Sequence, residues 1–401
     1  MAIDIRTSYL FACALIALLA VGCGSVPKRH PLPPELSTAA RIPGIPDARI
    51  WGDEIPGYAD QWFTQSREEL QERYPASFGK KHNYLAISGG GAKGAFGAGL
   101  LVGWTAAGDR PEFQMVTGIS TGALTAPFAF LGPDYDHVLE EIYTSYSTKD
   151  LLKKRNLLKA ITMDALYSTK PLAALIARYF DEEFLEALAA EARKGRTLNI
   201  GTTNLDAERP VVWRVTAIAA SDDPGRLELI RKIILASASI PVAFPPVAFE
   251  VEAGGQRYDE LHADGGATTQ VFLYPAAIDW ARVLDMLEVP GTPRVFVVRN
   301  SRLDPNAVAL NRRLFPIAGR TMGSLIRTQG IGDLYRILAL AHRDGLDLNL
   351  AYIPASFDDI PEEQFDPVWM RKLFDLGYKL GKAGYRWKAG PPEYGVEAEK
   401  P

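Results

Sequence analysis

The stretch from Ser88 to Gly99 reads SGGGAKGAFGAG and limits the possible folds more than any other part of the sequence. It follows the apolar run Tyr84 to Ile87, which has the length of a buried strand, and it leads into a helical pattern from Lys93 to Ala107. Glycine is concentrated where backbone turns tightly or where another group comes close. A glycine-rich turn between a strand and a helix directs several backbone N–H groups to one point, where the helix adds partial positive charge. The stretch therefore predicts an α/β unit with a site for a negatively charged group.

Three kinds of site have such a loop. Gly89, Gly91 and Gly94 fit the spacing of a dinucleotide-binding loop, but the acidic residue of that motif should close the second strand, and Asp109 precedes it. A phosphate-binding P-loop needs Lys and then Ser or Thr after its last glycine, where this chain has Ala95. The third kind is an oxyanion hole, which requires a nucleophile nearby.

A candidate nucleophile lies in the next strand-to-helix turn. The predicted strand Phe113 to Thr117 runs into the pentapeptide GISTG, and an alanine-rich helical pattern follows from Ser120 to Phe130. In a G-x-S-x-G turn the serine occupies a strained bend, and Gly118 and Gly122 leave room for neighbouring backbone. By itself such a pentapeptide is more often an ordinary turn. Its position one βαβ unit after the glycine loop favours Ser120 as a nucleophile.

A serine nucleophile needs a general base within hydrogen-bond distance. The chain order Ser, Asp, His is met by Ser120, Asp264 and His342, so a triad completed by histidine remains open. His342 ends a helical pattern, where a surface position is the commoner role, and His262 suits a packing or hydrogen-bonding position. Asp264 begins an Asp-Gly-Gly sequence, which alone usually marks a surface turn.

The ordered motifs GGGAKG, GISTG and DGG resemble those of the patatin-like phospholipase family, whose hydrolases use a Ser-Asp dyad without a histidine. TTNLDAERPVVW and ASASIPVAFPPV extend the likeness over roughly residues 83 to 275, and GDLYRILALAHRDGLDLNLAYIP resembles bacterial members of the group. The resemblance implies that Ser120 is the nucleophile and Asp264 the general base. It also implies a set of supporting positions: the elbow glycines Gly118 and Gly122, the motif glycines Gly265 and Gly266, and an oxyanion hole at Gly89, Gly90, Gly91, Ala92, Lys93 and Gly94.

The activity that the resemblance implies is hydrolysis of carboxylic ester bonds of lipids, of the phospholipase A type, through an acyl-enzyme and without a cofactor. Aspartate has an ordinary pKa of about 3.9 and is a weak base, so we expect Asp264 in a desolvated pocket that raises its pKa. Lys93 either adds positive potential near the oxyanion or a lipid phosphate, or points to solvent. Two alternatives are a catalytically silent, lipid-anchored scaffold and an α/β-hydrolase esterase with a Ser-Asp-His triad.

Composition narrows the partners. The chain has 401 residues, 47% of them hydrophobic, and a formal net charge of -4, with lysine and arginine spread along its length. That distribution lacks the basic stripe that nucleic acid requires. Five scattered histidines and two cysteines give no metal-ligand spacing, so we predict no metal. The expected partners are a lipid ester substrate and a membrane, and the sequence favours no particular oligomeric state.

The N-terminus reads as an export signal. Tyr9 to Val21 is an uncharged apolar run, too short to span a bilayer, and it ends before Cys23 in a sequence that resembles the lipobox of bacterial lipoproteins. Cys13 would leave with the signal and Cys23 would carry lipid, so the folded body would hold no thiol. The residue after Cys23 is Gly24 and not the aspartate that retains many lipoproteins in the inner membrane. This favours the outer membrane in a Gram-negative source. A plain secretory signal with a secreted or periplasmic product is the alternative.

Alternation of short apolar runs with helical patterns predicts a three-layer α/β/α sandwich with a central, mainly parallel sheet. The predicted parts are a signal (1–23), a proline-rich unpacked tether (24–58), a short N-terminal helix at about Asp60 to Arg73 within 59–82, a catalytic core (83–275), a helical extension packed on the core (276–388) and a disordered tail (389–401). Leu151 to Ile161 is predicted to be an ordinary surface helix, with a membrane-interface segment as the alternative. The remaining predicted strands are 197–203, 210–215, 247–251 and 294–299, and the remaining predicted helices are 137–146, 171–179, 182–193, 227–237, 324–343 and 368–386.

Overall fold

The computed structural model describes residues 29–57, 59–155, 165–305 and 309–392. The predicted signal segment with Cys13 and Cys23, and residues 393–401 of the predicted tail, lie outside the described residues.

A nine-stranded sheet runs through the described part of the chain. Its strands lie in the order β1-β7-β6-β3-β2-β10-β11, with β9 beside the end of β6 and β8 beside β9. β6, β3, β2, β10 and β11 are parallel neighbours, which confirms the mainly parallel sheet. A two-stranded ribbon of β4 and β5 lies apart from it. The strands are β1 (Arg49–Trp51), β2 (Asn83–Ile87), β3 (Met115–Ile119), β4 (Lys153–Lys154), β5 (Tyr167–Ser168), β6 (Thr197–Asn204), β7 (Arg209–Arg214), β8 (Val247–Ala253), β9 (Gln256–Asp264), β10 (Arg294–Arg299) and β11 (Asp347–Tyr352).

Helices cover both faces of this sheet. In chain order they are α1 (Ala59–Trp62), α2 (Arg67–Arg73), α3 (Gly94–Ala107), α4 (Thr121–Leu131), α5 (Asp136–Thr144), α6 (Thr148–Leu151), α7 (Lys170–Tyr179), α8 (Glu182–Arg193), α9 (Val215–Ala219), α10 (Arg226–Ser237), α11 (Trp280–Met286), α12 (Leu314–Arg343) and α13 (Pro367–Lys382). Short 3-10 turns occupy 34–36, 91–93, 133–135 and 265–267.

Side chains of the central strands alternate between two apolar cores. Leu85 and Ile87 of β2 join the core beneath α3, α4 and α13, whereas Tyr84 and Ala86 join the core beneath α12. Every residue of β2 is buried, as expected for a parallel strand covered on both faces. The three-layer α/β/α sandwich is therefore confirmed.

The predicted unpacked tether is wrong for its described part. Ala40, Ile42, Ile45 and Ala48 are buried in the main core, and β1 pairs with the edge strand β7. The prolines favour extended backbone over helix, but the apolar residues between them still bury surface when they lie against a sheet edge. The arginine of the buried Arg49–Glu260 ion pair comes from this segment.

Several predicted elements need correction. The single helix at 60–73 is two helices, α1 and α2, and α2 begins at a capping box formed by Ser66 and Glu69. α12 begins ten residues before the predicted start, and α13 ends at Lys382, before the predicted 386. The predicted helix at 151–161 gives way to strand β4 at Lys153–Lys154, and residues 156–164 lie outside the described part.

Five strands were not predicted: the short strands β1, β4 and β5, and the longer strands β9 and β11. β9 pairs with β8 and with the end of β6, and β11 forms the far edge beside β10. Aspartate, asparagine and glutamate are depleted from strands, and β9 and β11 contain them, so local propensity argued against this assignment. The C-terminal part is therefore more than a helical extension, because β10 and β11 continue the same sheet that contains β2.

Glycines join α3 to α13. A Cβ at Gly99 would lie 2.0 Å from the carbonyl oxygen of Phe374, and one at Gly377 would lie 2.3 Å from that of Phe96. Part of the glycine-rich stretch therefore serves close helix packing and not the site itself. Within the described ranges, no helix combines the length and the apolar character needed to cross a membrane.

Candidate active site

Ser120 and Asp264 meet because two strands follow one another along β6. Ile119, the last residue of β3, pairs with Gly201, and Asp264, the last residue of β9, pairs with the next residue, Thr202. β3 thus ends where β9 takes its place beside β6. The Ser120 hydroxyl, which directly follows β3, lies close enough to the Asp264 carboxylate to lower the pKa of that group.

Ser120 lies on a strained backbone bend, with φ 56° and ψ -121°, before the first turn of α4. A positive φ is uncommon for a residue with a side chain and is typical of functional sites. The flanking glycines permit the bend, because a Cβ at Gly118 would lie 2.3 Å from the Gly122 carbonyl oxygen and one at Gly122 would lie 2.2 Å from that of Ile87. The structure therefore places the predicted elbow glycines in tight contact, and Ser120 itself is 6% exposed.

Asp264 is a buried carboxyl group. Burial raises its pKa to about 6, against the opposing effect of hydrogen bonds from the Ser120 hydroxyl and the Gly266 N–H. The Gly266 N–H lies 2.7 Å from Asp264 Oδ1 and orients the carboxylate. At Gly265 a Cβ would lie 2.6 Å from the Gly201 carbonyl oxygen, so this turn needs glycine. A base whose pKa lies near neutrality matches the requirement for accepting a serine proton.

The glycine loop lies directly beside the serine. A Cβ at Gly89 would lie 3.3 Å from Ser120 Cβ, one at Gly90 would lie 2.4 Å from the Asn300 carbonyl oxygen, and Gly91 has a φ of 57°. Among the described residues, no acceptor is found for the N–H groups of Gly90 and Gly91. These two groups are therefore open to an external acceptor such as a developing oxyanion.

Other N–H groups of the loop are already used. Gly89 donates to the Gln270 carbonyl, Lys93 to that of Gly90, and Gly94 to the carbonyls of Gly91 and Ala92. Of the six residues expected to form an oxyanion hole, Gly90, Gly91 and Ala92 have no acceptor for their N–H groups among the described residues. Gly94 has a packing role instead, because a Cβ there would lie 2.1 Å from Thr121 Oγ1.

Positive charge accumulates behind this loop. Partial burial lowers the pKa of Lys93, and the charges of Arg299 and Arg302 lower it further, although the Lys93 side chain keeps contact with solvent. Arg299 is fully buried at the end of β10, and burial lowers its pKa to about 10. Its Nε and Nη1 atoms have no hydrogen-bond partner among the described residues. Lys93 and Arg299 thus place positive charge near the loop, although Asp333 lies near Arg299 and Asp304 is paired with Arg302.

An apolar cavity opens at the serine. Ser120 and Gly91 lie at one end, and the walls come from α4 to α7, from the loop after α10 and from the start of α13. The wall residues include Leu124, Leu151, Leu152, Leu172, Leu175, Ile176, Phe244 and Met370. A lining of aliphatic and aromatic side chains suits a hydrocarbon chain.

Three buried polar residues that the sequence did not single out hold the site together. Ser237 accepts the Ser120 N–H at 3.0 Å and donates to the Gly201 carbonyl at 2.7 Å. Gln270 accepts the Gly89 N–H and donates from Nε2 to the Gly266 carbonyl at 2.7 Å, so it joins the glycine loop to the Asp-Gly-Gly turn. Asn300 binds Ser88 and Gly97. Ser237 lay within the stretch ASASIPVAFPPV, which gave the only sequence signal for any of the three.

Histidines do not complete a triad. His262 is fully buried, with Nδ1 bonded to Thr202 Oγ1 at 2.9 Å and Nε2 bonded to Glu260 at 3.3 Å, and burial lowers its pKa. His342 is exposed at the end of α12. Gln329 of the same helix contacts Gln270 beside the site, and thirteen further residues carry His342 about 20 Å along the helix axis away from it. The triad alternative is therefore wrong on geometry.

In the described ranges, no group of three or more His, Cys, Asp or Glu residues could hold a metal ion. The site contains a serine, a buried carboxylate of raised pKa and the open N–H donors of the glycine loop. Together they define an α/β/α protein with a serine–carboxylate site at the carboxyl edge of a parallel sheet.

Comparison with known proteins identifies a domain. Residues 85–277, just under half of the chain, match the family model described as patatin-like phospholipase, so this part of the chain is a patatin-like phospholipase domain. Among solved structures, the chain is similar to VipD from Legionella pneumophila, with a TM-score of 0.37 and 13% identity over 76% of this chain and 66% of that chain. The chain thus spans just under two thirds of VipD. No curated protein matches the chain.

Proposed function

We propose that this protein is a serine hydrolase that cleaves carboxylic ester bonds of lipids, a phospholipase A-type enzyme, through a Ser120–Asp264 dyad. The observation that carries the proposal is the buried Asp264 carboxylate beside the Ser120 hydroxyl at the end of an apolar cavity. A dyad without histidine needs an aspartate of raised pKa, and burial supplies it.

In the acylation step, Asp264 accepts the hydroxyl proton of Ser120 as Oγ attacks the carbonyl carbon of the ester. The carbonyl oxygen becomes an oxyanion and accepts hydrogen bonds from the open N–H groups of Gly90 and Gly91, where losing one donor typically costs about a hundredfold or more. Collapse of the tetrahedral intermediate breaks the ester C–O bond. The leaving alcohol takes the proton from Asp264, and an acyl-enzyme remains on Ser120.

In the deacylation step, Asp264 accepts a proton from water as the water oxygen attacks the acyl carbon. The fatty acid leaves and Ser120 regains its proton. During both steps the acyl chain occupies the cavity between α4 and α7, where about 0.8 kcal/mol per buried CH₂ favours its binding. The Lys93 and Arg299 charges add positive potential behind the oxyanion.

Attachment to a membrane through Cys23 is proposed from the N-terminal sequence alone, with the outer membrane as the favoured location. A lipid anchor would hold the enzyme where its substrate is concentrated in two dimensions. Metabolic labelling with a fatty acid, compared between the natural chain and Cys23→Ser, tests this. Equal labelling of both chains would exclude lipidation at Cys23.

Turnover is tested with p-nitrophenyl esters of increasing acyl length and with phosphatidylcholine vesicles. Ser120→Ala and Asp264→Asn are expected to lose activity while remaining folded, and His342→Ala is the matched control that should keep it. Trapping the acyl group on Ser120 by mass spectrometry would support the covalent step. A natural chain as inactive as Ser120→Ala on every ester would favour the silent scaffold, and loss of activity in a folded His342→Ala would overturn the dyad.

A further inference from the structure

Helix α12 turns apolar side chains toward solvent over its first half. Leu314 is 76% exposed and Leu325 61%, and Ile317, Met322 and Ile326 are exposed as well. The second half behaves differently, since Leu334, Ile337 and Leu338 are buried against the sheet. Single exposed apolar residues are normal on a protein surface, whereas a contiguous group of them marks a binding surface. We call residues 314–326 the exposed half of α12.

This exposed half extends beyond the edge of the sheet that carries the active site. A Cβ at Gly330 would lie 2.3 Å from Arg299 Nη2, at the carboxyl end of β10, and Gln329 Oε1 lies 3.1 Å from Gln270 Nε2. Thirty residues give α12 a length of about 45 Å, against about 20 Å for a six-residue strand. The residues before Gln329 therefore project past the strand ends, on the side where Ser120 lies.

Charge on this segment has one sign. From Pro305 to Gly332 the sequence contains four arginines and no aspartate or glutamate, in a chain whose formal net charge is -4. Arg313, Arg320 and Arg327 are spaced by seven residues, close to two helical turns, so they lie along one side of the segment. Leu314 and Leu325 lie along another side, because eleven residues are close to three turns. An apolar face beside a row of arginines is the pattern of a helix that lies in a membrane interface.

We infer that the exposed half of α12 docks on an anionic lipid bilayer surface and turns the Ser120 edge of the sheet toward the membrane. The apolar side chains would enter the headgroup region, and the arginines in and next to this segment would bind lipid phosphates. That docking brings the enzyme to its substrate rests on the proposed function, whereas binding to the membrane can be measured without any hydrolysis. A second copy of the chain fits the segment less well, because it would bring another set of arginines against the first.

Insertion of the apolar face is tested with a fluorescent probe. The full chain carries Cys13→Ser and Cys23→Ser, which leave it without thiols or a lipidation site, and Ser120→Ala, which prevents hydrolysis. An environment-sensitive dye on Leu325→Cys should shift to the blue with vesicles that contain phosphatidylglycerol. The same dye on Lys80→Cys, before the amino end of β2, should not shift. A Leu325 probe that stays unchanged, or that shifts with protein concentration in the absence of vesicles, overturns the proposal, and the latter result indicates self-association.

The role of the arginines in binding anionic lipid is tested by reversing their charge. Arg312→Glu combined with Arg313→Glu should weaken binding to phosphatidylglycerol vesicles by about tenfold or more. Lys80→Glu combined with Lys81→Glu makes the same change of charge at the opposite edge of the sheet and should leave binding unchanged. Equal loss in both pairs would mean that binding follows net charge and not this surface.

The two proposals fail in different ways. If the natural chain hydrolyses soluble esters but the dye and vesicle experiments show no docking, the docking surface is wrong and the dyad stands. If the Ser120→Ala chain docks through α12 but the natural chain cleaves no ester, the proposed function is wrong and the docking surface stands. If both proposals hold, the double variant Arg312→Glu and Arg313→Glu should also lower hydrolysis of vesicle lipid while leaving hydrolysis of a soluble ester unchanged.

Discussion

Asn300 binds Ser88 twice, although 212 residues separate them: its backbone N–H donates to the Ser88 hydroxyl at 2.8 Å, and its Nδ2 donates to the Ser88 carbonyl at 3.1 Å. Its Oδ1 also accepts the Gly97 N–H at 3.1 Å. The glycine loop is thus held by a residue that lies outside the part of the chain matching the patatin-like family model. Asn300 is a positioning residue, since nothing places it at the reacting atoms.

Replacing Asn300 should lower kcat more than it changes KM. Asn300→Ala removes two side-chain hydrogen bonds from buried partners, at a cost of about 1–3 kcal/mol for each group left unsatisfied, and frees the loop that carries Gly90 and Gly91. We expect kcat to fall by about tenfold or more. Asn349→Ala, at a buried asparagine in β11, is the control that should lose stability and keep kcat. An unchanged kcat in folded Asn300→Ala would contradict the positioning role.

The pH profile should report the raised pKa of Asp264. The base acts only when ionised, so kcat/KM for a soluble ester should fall about tenfold per pH unit below its pKa of about 6. An aspartate of ordinary pKa would keep the enzyme active down to about pH 4. Circular dichroism at each pH separates protonation from unfolding. Full activity at pH 4.5, about 1.5 units below the expected midpoint, would mean that Asp264 is not the base.

Removing the charge of Asp264 should stabilise the fold at neutral pH. The folded-state pKa of about 6 lies above the ordinary aspartate value of 3.8, so the folded state favours the protonated carboxyl. The stability that Asp264 gives the folded state is fully present at low pH, where the carboxyl is protonated, and is lost as the pH rises through about 6. Asp264→Asn should therefore raise the free energy of unfolding near pH 7.5 by up to about 3 kcal/mol, from a shift of about two pKa units, and change it little near pH 3.5. Urea unfolding of both chains at the two pH values checks this. A variant less stable than the natural chain near pH 7.5 would contradict it.

Filling the cavity should shorten the preferred acyl chain. Leu175 lines the cavity from α7 and is only partly buried. A tryptophan at this position would therefore fill space proposed for the acyl chain without disturbing the packing of the core. Leu175→Trp should lower kcat/KM for a palmitoyl ester by about tenfold or more and leave that for a butyryl ester near the natural value, because each lost CH₂ contact removes about 0.8 kcal/mol. Leu205→Trp, outside the cavity lining, is the matched control. Equal losses on both esters would place the acyl chain elsewhere.

Much of the fold was accessible from local patterns. β2, β3, β6, β7, β8 and β10 and most of the longer helices are continuous segments whose apolar periodicity reports burial directly. β9 and β11 were missed because their aspartate, asparagine and glutamate residues argue against a strand, and only their neighbours in the sheet stabilise them. The N-terminal segment was misjudged for a related reason: its prolines describe the backbone but not the sheet edge against which it packs.

The sequence by itself determined the candidate nucleophile, its glycine elbow and the glycine loop, because each is a local turn whose conformation depends on residues a few positions apart. It could name Asp264 as the base only through resemblance to a family. The tertiary structure alone decided that Asp264 follows Ile119 along β6, that His342 lies at the far end of α12, and that Ser237, Gln270 and Asn300 hold the site. These are contacts between residues distant in the chain, and their burial and pKa values exist only after the sheet has formed.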